Sequence, residues 1–229
     1  MKTSLYLLFI TFLLTYISCK DVKIPSPVHA DTQIEQNDNL TLEEIDDAFK
    51  PNKGRDVWQR PGKVLDLLGN IEGKTVADIG AGTGFFSFRL LFRDANVIAV
   101  DINPQMLEII NDFKLNLDEI HRDHLETRLA LPKDSKLKKD EIDIALIINT
   151  IGFIDDRLNY LSHLYDLLPE NGQIMIVDFK RKSLPIDASP TENRIPLFEL
   201  ENDFKKVGFK IKESNDNLLD YQYILIGEK

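Results

Sequence analysis

Thr75-Val76-Ala77-Asp78-Ile79-Gly80-Ala81-Gly82-Thr83-Gly84-Phe85-Phe86-Ser87 sets an apolar run with an acid near its end, three alternating glycines and an amphipathic segment in immediate succession. That order predicts a buried strand, a tight glycine loop and a helix. Alternating glycines let the backbone turn sharply and let a ligand lie against it, while the first N–H groups of the helix face an anionic group. The chain returns as Asn96-Val97-Ile98-Ala99-Val100-Asp101, a second buried-type strand. Asp101 stands about 20 residues after the first glycine, where a ribose-binding acid is expected.

Toward the C-terminus, Phe85, Phe88, Leu91 and Phe92 recur at helical spacing and mark a helix buried on a sheet. Of these aromatics, only Phe85 and Phe86 in the first turn are placed to meet a ligand. Asn103-Pro104 supplies an N-cap and a first-turn proline, followed by a stripe of Met106, Ile109, Ile110, Phe113 and Leu117. A third strand is expected near Glu126 to Leu131, a charged turn region from Pro132 to Glu141, and a fully buried fourth strand from Ile142 to Asn149. Leu158, Leu161, Leu164, Tyr165 and Leu168 mark the next helix, and Gln173 to Phe179 a fifth strand. The tail predicts a helix around Phe198 to Val207 and two alternating runs, Lys210 to Glu213 and Tyr221 to Ile226. Strands alternating with helices define a doubly wound, mostly parallel α/β sheet with helices on both faces. Upstream, Arg55 to Asn70 reads as a helix restarted at Pro61 with Val64, Leu65, Leu67 and Leu68 inward. Leu40 to Phe49 reads as a short helix with a Thr41…Glu44 capping box, ended before Pro51.

The 229 residues, 43% hydrophobic, suffice for one domain with a full core plus an appended segment. A net charge of −10 argues against a nucleic-acid partner, which needs a basic face. The single cysteine excludes an internal disulfide, and the four histidines show no zinc-site spacing; His121 and His124 read as a solvated loop or helix end, and no metal is expected. Lys2 and the apolar run Leu5 to Ile17 have the layout of a signal peptide and fall short of a bilayer span. Ser18-Cys19 resembles a bacterial lipoprotein cleavage site, although Tyr16 stands where such sites usually carry leucine. The expectation is therefore a signal peptide over 1–18, attachment to a membrane of the bacterial cell envelope through lipidated Cys19, a tether over 19–39 containing Pro25 and Pro27, and a domain over 40–229 with N-terminal helices at 41–70. An uncleaved membrane anchor is the alternative.

The pattern Asp78-x-Gly80-x-Gly82-x-Gly84 resembles the first motif of class I S-adenosylmethionine-dependent methyltransferases, and Asp101 matches their second. The order of elements from Arg55 onward follows that family, and Trp58-Gln59-Arg60-Pro61 is similar to a bacterial branch related to the type 11 domain. The resemblance implies a Rossmann-like, seven-stranded methyltransferase sheet with a C-terminal antiparallel hairpin beside the fifth strand, and S-adenosylmethionine as cofactor. Gly80, Ala81, Gly82 and Gly84 would then underlie the methionyl part, Asp78 would face its ammonium directly or through water, Asp101 would accept hydrogen bonds from the ribose hydroxyls, and Ile102 would lie against the adenine.

Two positions depart from that pattern. Ala130-Leu131 replaces a polar pair, leaving adenine recognition there to backbone groups, and Asn149-Thr150-Ile151-Gly152-Phe153 replaces a histidine-containing segment, which removes the obvious base. Asn149 is then the candidate catalytic residue, orienting groups near the methyl. Plainer roles stay open: a tight turn for Gly80 and Gly82, a helix N-terminal acid for Asp101, a strand-end cap for Asn149. Asp78 is harder to explain structurally, because a buried strand-end carboxylate is costly without a partner. Lys180-Arg181-Lys182 could draw an anionic acceptor or lipid headgroup, or simply be a solvated loop. The reading is an enzyme with a small-molecule acceptor. Its alternatives are a non-catalytic cofactor-binding or interaction lipoprotein and, against the motif and the hairpin, a nicotinamide-dependent oxidoreductase.

Overall fold

The glycine loop sits at the middle of a seven-stranded sheet in the computed structural model, which describes residues 40–48 and 54–229. The strands are β1 (Thr75–Ile79), β2 (Asn96–Asp101), β3 (Leu125–Leu129), β4 (Ile144–Ile148), β5 (Gln173–Phe179), β6 (Lys210–Asn215) and β7 (Gln222–Glu228). Their order across the sheet is β3-β2-β1-β4-β5-β7-β6. The first five run parallel, β7 is antiparallel to β5, and β6 is antiparallel to β7. The expected doubly wound sheet with a C-terminal hairpin beside the fifth strand is therefore observed. Strand order reverses between β1 and β4, and such a switch point opens a crevice at the carboxyl ends of the strands. Ile79 is level with both Val100 and Ile147, so these ends share one edge.

Every residue of β4 is buried, because both faces of the sheet are covered. On one face Val76, Ala99, Leu146 and Val177 pack under α1 (Leu42–Ala48), α3 (Pro61–Asp66), α4 (Phe85–Leu91) and α5 (Pro104–Lys114). On the other, Ala77, Val100, Ile147 and Ile176 pack under α6's successor α7 (Arg157–Leu167) and under α8 (Leu197–Val207); α6 (Glu119–Asp123) and α2 (Arg55–Gln59) are single short turns. All seven residues of α4 are buried, which fixes the helix that follows the glycine loop.

Local signals act as their chemistry directs. Thr41 N donates to Glu44 Oε2 at 2.8 Å and Glu44 N to Thr41 Oγ1 at 3.3 Å, a complete capping box. Asn103 Oδ1 accepts from Gln105 N at 3.0 Å and starts α5. Other boundaries differ from expectation. The third strand ends at Leu129, since Leu131 leaves the sheet to bridge Asp134. The fourth is confined to Ile144–Ile148, ended by Asn149 at φ +57°. The helix expected over 55–70 restarts at Pro61 as expected, with Arg60 at φ +48° between the two parts, and ends at Asp66 rather than Asn70. Leu67 and Leu158 are exposed rather than inward, and Leu107 joins Ile110 and Phe113 as the buried stripe of α5 while Met106 and Ile109 are half-buried. The signal peptide at 1–18, Cys19, the tether at 19–39 and the helix end at Phe49 to Pro51 lie outside the described residues. Among the described residues no helix is long and apolar enough to cross a membrane.

Candidate active site

A cavity of about 230 Å³ opens at the carboxyl ends of β1 and β4. Asp78, the loop Gly80 to Thr83, Phe85 and Phe86 line it from the first motif, Ile148, Asn149 and Thr150 from β4 and its loop, and Arg55 from α2. Gly80 has φ +78°, and a Cβ there would stand 2.2 Å from Thr150 Oγ1, so the two loops approach each other only across a bare backbone. Gly80 N and Ala81 N donate to Val100 O at 2.8 and 3.0 Å, which ties the loop to β2. At Gly82, with φ +56°, a Cβ would meet nothing within 4 Å, and that open backbone is what a ligand cradle requires.

Asp78 is buried, and its Oδ2 accepts from Ser87 Oγ of α4 at 2.7 Å. Burial is the main cause that pushes its pKa up to about 6; the Ser87 hydrogen bond and the Arg55 charge pull it down, and Asp101 adds to the rise. A carboxylate so desolvated on a cavity wall fits a cationic ligand group. Asp101 at the end of β2 is half-buried; its Oδ2 accepts from Gly82 N and its Oδ1 from Asn103 N, both at 2.8 Å. The carboxylate is held in place, and each oxygen keeps a further acceptor site for a hydroxyl.

Asn149 stands at the end of β4 on the cavity wall. Its N–H donates to Val177 O at 2.9 Å at the end of β4, while the residue lines the cavity. Its Oδ1 accepts from Gln222 Nε2 of β7. Ile102 is 59% exposed beside Asp101, outside the cavity. Ala130 and Leu131 also lie outside it. Ala130 N donates to Asp101 O and Leu131 N to Asp134 O, both at 2.9 Å.

Several residues of the site were not singled out. Arg55 reaches the cavity from before the first strand, with only its place at the head of a helix as a signal; Ser87 and Gln222 carry none, since their partners are distant in sequence. Asp178, which does not line the cavity, stands near the end of a buried strand just as Asp78 does. Burial pushes its pKa to about 6 against hydrogen bonds from Phe179 N, at 2.6 Å, and from Gly152 N. In the basic triplet Lys180 Nζ donates to Leu219 O at 3.0 Å and pairs with Asp216 at 3.1 Å, holding the β6–β7 turn, while Arg181 and Lys182 are exposed. His121 Nδ1 contacts Asp118 at the start of α6, and among the described residues no cluster of three metal-binding side chains exists.

Residues 77–174 match the family model described as "Methyltransferase domain". The fold is similar to the crystal structure of a SAM-dependent methyltransferase from Aquifex aeolicus, with 20% identity, a TM-score of 0.69, and coverage of 83% of this chain and 99% of that one. A ubiquinone/menaquinone biosynthesis C-methyltransferase UbiE from Citrifermentans bemidjiense is 24% identical over 114 residues, 48% of each chain. A magnesium-protoporphyrin O-methyltransferase from Rhodobacter capsulatus is 40% identical over 60 residues, 26% of each chain. The chain thus spans about half or less of the length of these curated relatives. By the family-model match and by its Rossmann-like topology, the segment from residue 77 to residue 174 is similar to methyltransferase domains.

Proposed function

We propose that the protein is an S-adenosylmethionine-dependent methyltransferase with a small-molecule acceptor. The observation that carries this reading is the pair of strand-end carboxylates, Asp78 and Asp101, on either side of a glycine loop whose backbone at Gly82 is open. The donor set suits that cofactor: a desolvated buried carboxylate for an ammonium, a pre-positioned one for vicinal hydroxyls, and bare backbone between them. When bound, the cofactor supplies an electrophilic methyl on a sulfonium.

The protein's own residues supply positioning, which is worth up to roughly 7–11 kcal/mol of a transfer barrier. Asp78 holds the ammonium, Asp101 orients the ribose, and Phe85 with Phe86 excludes water from the cavity wall. Asn149, fixed by Gln222, offers its carboxamide beside the reacting centre. Among the described residues that line the cavity Asp78 is the single carboxylate and there is no histidine, which suits an acceptor that is already ionised, of low pKa, or deprotonated by another group. The names of the relatives, one a C-methyltransferase and one an O-methyltransferase, support an acceptor of small-molecule class.

Calorimetry with S-adenosylhomocysteine tests the reading. Binding is expected to weaken at least about tenfold in Asp101→Ala, about 1.4 kcal/mol. No binding to the wild-type chain would refute it. The attachment to the cell envelope proposed from Ser18-Cys19 has its own test, since an acylated Cys19 and an intact Met1 give different masses in the membrane fraction.

A further inference from the structure

Two charges of opposite sign line the cavity, and the proposed chemistry so far uses one of them. The second is Arg55, the first residue of α2. Its guanidinium carbon stands 4.2 Å over the Phe85 ring and 5.7 Å from that of Phe86, so the group lies against aromatic surface that itself lines the cavity. Its Nε donates to Gln59 Oε1 at 2.6 Å, one turn along the same helix. Gln59 is fully buried, and its Nε2 has no acceptor among the described residues. A buried, unsatisfied amide donor is costly. Its oxygen meanwhile fixes the plane and direction of the Arg55 fork.

This step rests on the cofactor reading above. We propose that Arg55, held by Gln59 and stacked on Phe85, binds the α-carboxylate of the cofactor's amino-acid end while Asp78 takes its ammonium. The two groups of an amino acid sit on one carbon, so their receptor must present opposite charges within one small space. Asp78 and Arg55 do so within about 230 Å³. A planar guanidinium matches a carboxylate through two parallel N–H···O bonds, which a lysine at this position cannot reproduce. Gln59 is then a positioning residue, acting through Arg55. A different role for Arg55, as a counter-ion that merely neutralises Asp78 until a ligand ammonium displaces it, makes the opposite prediction, because removal of Arg55 would then favour any ligand that carries the ammonium.

Calorimetry on the full chain with two ligands separates these roles: S-adenosylhomocysteine, and S-adenosyl-3-thiopropylamine, which keeps the ammonium and lacks the carboxylate. Wild type is expected to prefer the carboxylated ligand by at least about tenfold. Arg55→Gln is expected to weaken S-adenosylhomocysteine by a similar factor and to change the decarboxylated ligand less than about threefold, so that the preference disappears, and Arg55→Lys to recover part of it. Gln59→Leu is expected to lower the preference without abolishing it. A wild-type preference below about threefold overturns the assignment without any variant, and so does an equal loss of both ligands in an Arg55→Gln protein whose melting curve matches wild type. Failure of wild type to bind either ligand overturns the cofactor reading itself and the assignment with it.

Discussion

Replacing Asp78 by asparagine should change how stability depends on pH, by an amount the site fixes. The side chain is 3% exposed, so solvent screens it little, and burial carries its pKa from 3.8 to about 6. The unfolded chain keeps the ordinary value. Between those two pH values the folded state retains a proton that the unfolded state has lost, so the contribution to stability is fully present at low pH and is lost as pH rises through the folded value. The slope approaches about −1.4 kcal/mol per pH unit and totals roughly 3 kcal/mol by neutral pH. Asparagine keeps an oxygen for Ser87 Oγ and does not titrate. Urea unfolding of wild type and Asp78→Asn at intervals from about pH 4 to 7 should show the difference moving by roughly 2–2.5 kcal/mol in favour of the variant as pH rises. Asp178, also raised to about 6, is common to both proteins and cancels in the difference. Parallel curves would refute the burial argument, and with it the reason for expecting a cation beside Asp78.

The same carboxylate couples to binding: at pH near 6, docking of S-adenosylhomocysteine should release roughly half a proton, falling to none by about pH 8, measured by calorimetry in buffers of different ionisation heat. Gly80→Ala should cost about 1–3 kcal/mol in a thermal melt, since it places a Cβ 2.2 Å from Thr150 Oγ1 at φ +78°. Adding Thr150→Gly should recover the clash part, since it removes the Oγ1, Cγ2 and Cβ that stand within 2.8 Å, and leave the backbone part, about 1 kcal/mol. A double mutant no more stable than Gly80→Ala would show that the close approach is not what requires glycine. Reduced nicotinamide should show no fluorescence change on titration with the protein, in contrast to a dehydrogenase.

Much of the chain can be read before it folds, for local reasons. The segment Thr75 to Ser87 combines a strand run, a glycine loop and helical spacing within thirteen residues, and each obeys short-range sterics, so β1, the loop and α4 stand where their residues place them. The capping box at Thr41 and the N-cap at Asn103 are of the same kind. Asp78, Asp101 and Asn149 are legible because each ends an apolar strand at a fixed remove from the glycines, and a strand end is where the sheet delivers a side chain to the crevice. Boundaries set by distant partners are less legible. β6 and β7 outrun their alternating patterns because pairing with each other, and of β7 with β5, extends them, and β3 stops early because Ala130 and Leu131 spend their amides on Asp101 and Asp134.

Sequence periodicity and the glycine–acid motif are enough for the parallel α/β class and the two acids, since a repeat of two or 3.6 residues and a bare backbone act within a few residues of themselves. The tertiary structure alone decides that Ser87 holds Asp78, that Gln222 holds Asn149 across 73 positions, that Thr150 abuts Gly80, and that Arg55 and Gln59 come from ahead of the first strand to face the same cavity. Those contacts arise where separate elements converge on the switch point, and no spacing along the chain encodes a meeting that depends on how helices lie on the sheet.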